Sequence, residues 1–257
     1  MRVWIVVFLT LGLSFHTSAE TATQEPSNAD LSRKSYIEKV SRNPTRNQLA
    51  RKARSIAQIA ENGILYSENL PVIVDESEAL RRSDREVAAR ALAVMITAVK
   101  GETNNQSLTE AVIADYDAAD LFTDFERAFI ESSNPPQDMN VQMSWRYESV
   151  AVLLWSIGVI EELPEPDQII DAALLGNVFH ALGAEGLYKT ARLRPLSEIL
   201  DATDMAYRLH WAVVDARVNG APPPERVSPG IAYERHYAFN WLIGYAGLEW
   251  DNMATDT

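Results

Sequence analysis

The chain is 257 residues long, 47% hydrophobic and 23% charged, a balance that suits a globular protein with a sizeable core. Its 36 acidic residues against 23 lysines and arginines leave a formal net charge of -13, which repels polyanions and argues against nucleic acid as a partner. With no cysteine, disulfides, thiol chemistry and lipid attachment through sulfur are excluded.

The chain opens with Met1-Arg2, a 13-residue apolar run over 3–15 and small residues up to Ala19, the three parts of a secretory leader. A membrane-spanning helix needs about 20 apolar residues, so the run predicts a leader cleaved after Ala19, with no transmembrane span afterwards. The expected product is periplasmic or secreted. Residues 20–35 read as a disordered lead and 36–257 as one helical domain of unknown function.

A basic segment follows, in which Arg33, Lys34, Lys39, Arg42, Arg46, Arg51, Lys52 and Arg54 face only Glu38. The spacing predicts a helix over about 45–62 with Leu49, Ala53, Ile56, Ala57, Ile59 and Ala60 inward and Gly63 as its stop. Its basic side is expected in solvent, pairing with acid from elsewhere in the chain. Residues 64–75, interrupted by Pro71, read as a connector or at most an edge strand. Ser83 with Glu86 has capping-box spacing and opens a helix to Lys100-Gly101, with a turn at Asn104-Asn105. Another helix starts near Leu108, and Thr123 with Glu126 caps a short third that ends near Pro135-Pro136. Residues 143–160 predict a central helix, apolar all round from Ser149 apart from two serines. After Pro164 and Pro166 comes an amphipathic helix over 167–182, with Ile169, Ile170, Ala173, Leu174 and Val178 inward, ending at a turn between Gly183 and Gly186.

The longest helix is predicted over 194–220, between Pro195 and the stop at Asn219-Gly220. At about 100° per residue, Leu196, Ile199, Leu200, Thr203, Tyr207, Val213 and Val214 form one apolar side with His210 in its middle. Asp201, Asp204, Arg208 and Asp215 share the opposite side, three carboxylates around one guanidinium. Met205, Leu209, Trp211 and Ala212 flank this stripe, so it is either a solvated face or a network covered by a second layer. Ser228-Pro229 starts the last helix, in which Arg235 falls between Phe239 and Leu242 and needs a carboxylate from Asp204, Asp215 or Glu148. The short acidic tail reads either as a disordered end or as a segment anchored by Trp250.

The blocks WRYESVAVLLWSIG, LRP at 193–195, DxxYRLHWAVVDA at 204–216, ERHYAFNWL at 234–242 and the terminal WDNMATDT together resemble the family of the domain of unknown function 4272. The resemblance runs from about the basic helix to the last residue and is most specific in its final two blocks. It implies a mainly helical bacterial domain with no established activity and supplies no catalytic residue; with the terminal block part of that domain, it also implies a docked tail in which Asp251 and Asp256 accept local backbone hydrogen bonds.

Phosphate-binding, dinucleotide-binding, nucleophile-elbow, zinc-protease and EF-hand motifs are absent from the sequence, so no cofactor and no metal site is expected. The candidate polar cluster is Glu148, Asp204, Arg208, Asp215, Glu234, Arg235 and Asp251. Two readings follow. One is a non-catalytic interaction or structural module of the cell envelope, with an unknown protein or small molecule as partner. The other is a hydrolase or small-ligand-binding protein that uses the cluster between the two late helices. An open cleft lined by Asp204, Arg208, Glu234 and Arg235 would favour the second, and closed, fully paired side chains the first.

Overall fold

The computed structural model describes residues 28–257; the expected leader and its cleavage point after Ala19 lie outside them. Ten α-helices and two short 3-10 turns make up the regular structure, with no strand among the described residues. The fold is all-helical, and the segment around Pro71 is an extended connector. No helix among the described residues is long and apolar enough to cross a membrane.

Local chemistry sets most of the helix starts. Helix α2 (Arg46–Glu61), α3 (Asp84–Thr103) and α5 (Asp124–Glu131) each open with a reciprocal capping box, from Thr45 to Gln48, Ser83 to Glu86 and Thr123 to Glu126. Asn104 ends α3 in the left-handed conformation, and Asn105 then caps α4 (Gln106–Asp115) through its side chain. The central helix expected over 143–160 is α7 (Arg146–Ser156), shorter at both ends, and the unexpected α6 (Gln137–Ser144) precedes it, the two meeting at Trp145. Alpha-helical residues 146–154 are all buried, in keeping with a segment apolar on every side. After α8 (Ala172–Thr190) come the 23-residue α9 (Leu196–Val218) and α10 (Pro229–Leu242), which has Pro229 in its first turn.

The helices pack in a neighbour-to-neighbour series. α2 lies on α9, α9 on α10, α10 on α7, and α7 on α3, which also contacts α4, α5, α6 and α8. Most apolar side chains of α3, α7, α8 and α10 join one core, while Ile59, Ile64, Leu209, Ala212 and Val213 form a second cluster under α2. α3 and α6 approach so closely at Gly101 that a Cβ there would stand 2.7 Å from the Ser144 backbone nitrogen and 2.8 Å from the Asn140 carbonyl.

Several expectations are revised. Helix α1 (Asn28–Ser41) begins inside the lead expected to lack structure; Arg33 pairs with Asp256 and Tyr36 meets the ring of Tyr245 edge-on. α2 turns a different face inward from the apolar one: Gln48, Arg51, Ser55 and Ile59 are buried and Leu49 is 49% exposed. On this face Arg51 Nε donates to Asp201 of α9 at 2.8 Å, Arg54 pairs with the same carboxylate, and Gln48 Nε2 donates to the Ile73 carbonyl at 2.7 Å, so α2 meets α9 and the connector largely through polar groups. α8 starts five residues later than expected, at the Asp171 cap, and passes through a kink at Gly183 to Thr190. It buries Leu175 and Phe179, leaving Ile169 and Leu174 exposed.

Candidate functional site

α10 packs against both α9 and α7, and ionisable residues of these helices form three buried couples. Arg208 reaches back one turn along α9 to Asp204 in a two-pronged pair at 2.8 and 2.9 Å, and both side chains are only 1% exposed. The Pro71 carbonyl caps this pair from the connector, the second layer that makes it an interior group. Arg235 takes Glu148 from α7 as its carboxylate, at 3.1 and 3.0 Å, and donates also to the Pro164 carbonyl. The other Glu148 oxygen accepts from the Ile170 backbone at 2.7 Å. Burial lowers the Arg235 pKa, and the Glu148 charge opposes that shift.

The third couple is Glu234 with Arg146. Arg146 Nη1 donates to Glu234 Oε2 at 3.1 Å while its guanidinium rests 4.1 Å above the ring of Tyr237, and Ser149 Oγ donates to the same oxygen at 2.7 Å. Burial pushes the Glu234 carboxyl above the usual range despite Arg146 and Ser149, with the nearby Glu148 charge adding to the rise.

Glu234 differs from the other paired acids in that it also lines a pocket of about 680 Å³, bounded by the end of α9, the proline-rich turn and the first two turns of α10. Trp145, Val214, Pro223 and Tyr233 give it apolar and aromatic walls, and Arg217 stands at its edge. The Trp145 ring lies so close over α10 that a Cβ on Gly230 would be 2.6 Å from it, so glycine is required for this wall. His210 lines the same pocket with Nδ1 turned away toward His236 Nδ1 on α10, 3.0 Å distant. Burial, reinforced by Arg217, pushes His210 down to about 4, and burial with His210 alongside holds His236 well below the ordinary histidine range. Both rings are thus neutral at pH 7. A carboxyl, an imidazole and apolar walls together can hold a small molecule at one polar end.

The remaining predicted residues lie elsewhere. Three acids do not share Arg208: Asp201 serves Arg51 and Arg54, and Asp215 makes no ion pair among the described residues. Asp251 accepts from the Phe125 backbone at the start of α5, and Asp256 accepts from Tyr245 and forms an ion pair with Arg33, so the tail is tied by remote partners in place of the expected local turns. Its Trp250 is buried, and its carbonyl accepts from Tyr237. Sequence reasoning missed the pocket residues Trp145, Arg217, Gly230 and Tyr233 and the meeting of the two histidines. The one signal for that meeting was that His210 and His236 sit on the two helices already expected to meet. Among the described residues, no three His, Asp or Glu side chains are grouped to hold a metal ion.

A family model described as a domain of unknown function (DUF4272) matches residues 51–253. No curated protein and no solved structure matches the chain.

Proposed function

Because the chain belongs to the DUF4272 family, whose description carries no activity, we propose its function from its own geometry: a non-catalytic, small-molecule-binding module whose site is the pocket between α9 and α10. The observation that supports it is the pocket itself, open and apolar-walled, with Glu234 and His210 among its few polar lining groups. The Asp204–Arg208 and Glu148–Arg235 couples are closed and serve the fold. The leader over 1–19 supports export to the periplasm or beyond, so that the mature chain would begin at Glu20, which mass spectrometry of the exported protein would check.

The test is a screen of aromatic fragments by thermal shift and by NMR on the purified domain. Binders should move the signals of Trp145, Gly230 and Tyr233, and Val214→Trp, which fills the pocket from its wall, should abolish them. Fragments that bind the filled variant equally well would remove the proposal. A second reading, a hydrolase, is favoured by the pairing of a carboxyl of raised pKa with an imidazole in one pocket. It requires turnover of a panel of nitrophenyl esters or glycosides that is lost in Glu234→Gln.

A further inference from the structure

Resting on that pocket reading, we infer that the site takes aromatic monocarboxylates, with the ring against Trp145 and Tyr233 and the carboxylate on Arg217 at the pocket edge.

The ligand would lie along one stripe of α9. His210, Val213, Val214 and Arg217 occupy positions i, i+3, i+4 and i+7, so they share a helical side, and all four line the pocket. His210 is buried and Arg217 exposed, so the stripe leads from the interior to the edge, over about 10 Å at about 1.5 Å per residue.

Charge decides what this stripe attracts. Glu234 is the one carboxylate in the pocket wall, and Arg146 already balances it at 3.1 Å. Arg217 has no such partner: its side chain makes no ion pair and no hydrogen bond among the described residues. Nor is it needed to close its helix, because backbone N–H groups of Asn219, Gly220 and Ala221 take the carbonyls of Asp215, Arg217 and Ala216. An uncompensated guanidinium therefore stands beside an apolar pocket. A carboxylate there makes a charge-assisted hydrogen bond and brings the pocket wall to neutrality. An ammonium would be repelled by Arg217 and would find the Glu234 charge already taken.

The walls define the body of the ligand. Trp145, Pro223 and Tyr233 face the stripe with apolar and aromatic surface, which suits one ring on a short chain, and about 680 Å³ is ample for it.

Ligands that share a phenyl ring and a butyl chain test the sign of the charge: 4-phenylbutyrate, 4-phenylbutan-1-ol and 4-phenylbutylamine, titrated by NMR into the purified protein at low salt. The carboxylate should bind about fivefold more tightly than the alcohol, and the amine should bind weakest. Added salt should shrink that preference. Arg217→Gln should bring the carboxylate down to the affinity of the alcohol and leave the alcohol unchanged. Because Arg217 is exposed and unpaired, the variant should keep its melting temperature. Equal affinities for acid and alcohol, an amine that binds as tightly as the acid, or a preference for the acid that survives Arg217→Gln overturns this inference while leaving the pocket a binding site. Signals of Trp145, Gly230 and Tyr233 that respond to none of the ligands overturn both.

Discussion

Arg208 shows how one side chain commits a fold. At 1% exposure its charge has no water to return to, and Asp204 with the Pro71 carbonyl takes the place of solvent. Removing one partner strands the other, so Arg208→Ala and Arg235→Ala should each cost about 3–5 kcal/mol in urea unfolding. The double replacement Asp204→Leu with Arg208→Met should be close to neutral, because the desolvation cost goes with the charges. Unchanged melting temperatures for both single variants would show that these pairs are hydrated in solution. His210 makes a further prediction. Its folded pKa of about 4 lies below the unfolded value of about 6.5, so the native state binds the proton less well. The stability is complete above about pH 6.5 and declines as pH falls toward 4, by about 3 kcal/mol in total. His236 adds a decline of the same sign, whereas Glu234, with its raised pKa, gains relative stability as it protonates. Comparison with His210→Asn isolates the His210 part: urea unfolding between pH 7 and 4 should show a shallower loss in the variant.

At the scale of the element, α2 is where periodicity misled. Its apolar residues suggest one inward face, yet Arg51 and Ser55 are buried and Leu49 is in solvent. Leu49→Ala should therefore change stability by less than about 0.5 kcal/mol, and Ile59→Ala should cost about 2–5 kcal/mol, as measured by chemical denaturation. An equal cost for both would restore the apolar-face orientation. The capping boxes were legible because they depend on residues three apart, and Ser83 and Thr123 close them as expected. The inward face of α2 was not, because Asp201 lies 150 residues away from Arg51 in sequence. The same applies to the candidate site: Arg235 visibly needed an acid, and Glu148 was among three candidates, but only the packing of α7 against α10 selects it.

For the molecule as a whole, the tail closes the structure. Trp250 inserts edge-on against Tyr237 and Trp241, and Asp251 and Asp256 bind back to α5 and α1. Trp250→Ala should cost about 3–5 kcal/mol by removing a buried indole, and hydrogen exchange should show α10 and the start of α5 opening together. Loss of protection limited to the last residues would mean that the tail is a separate unit. The sequence by itself determined the helical class, the capped helix starts and the family, since these follow from composition and from residues near one another in the chain. Tertiary structure alone decided which charges became couples, that Glu234 and His210 share a pocket, and that His236 stands behind His210. Those outcomes depend on the register in which α7, α9 and α10 pack, and a shift of one residue turns a helical side chain by about 100° into another neighbour's space.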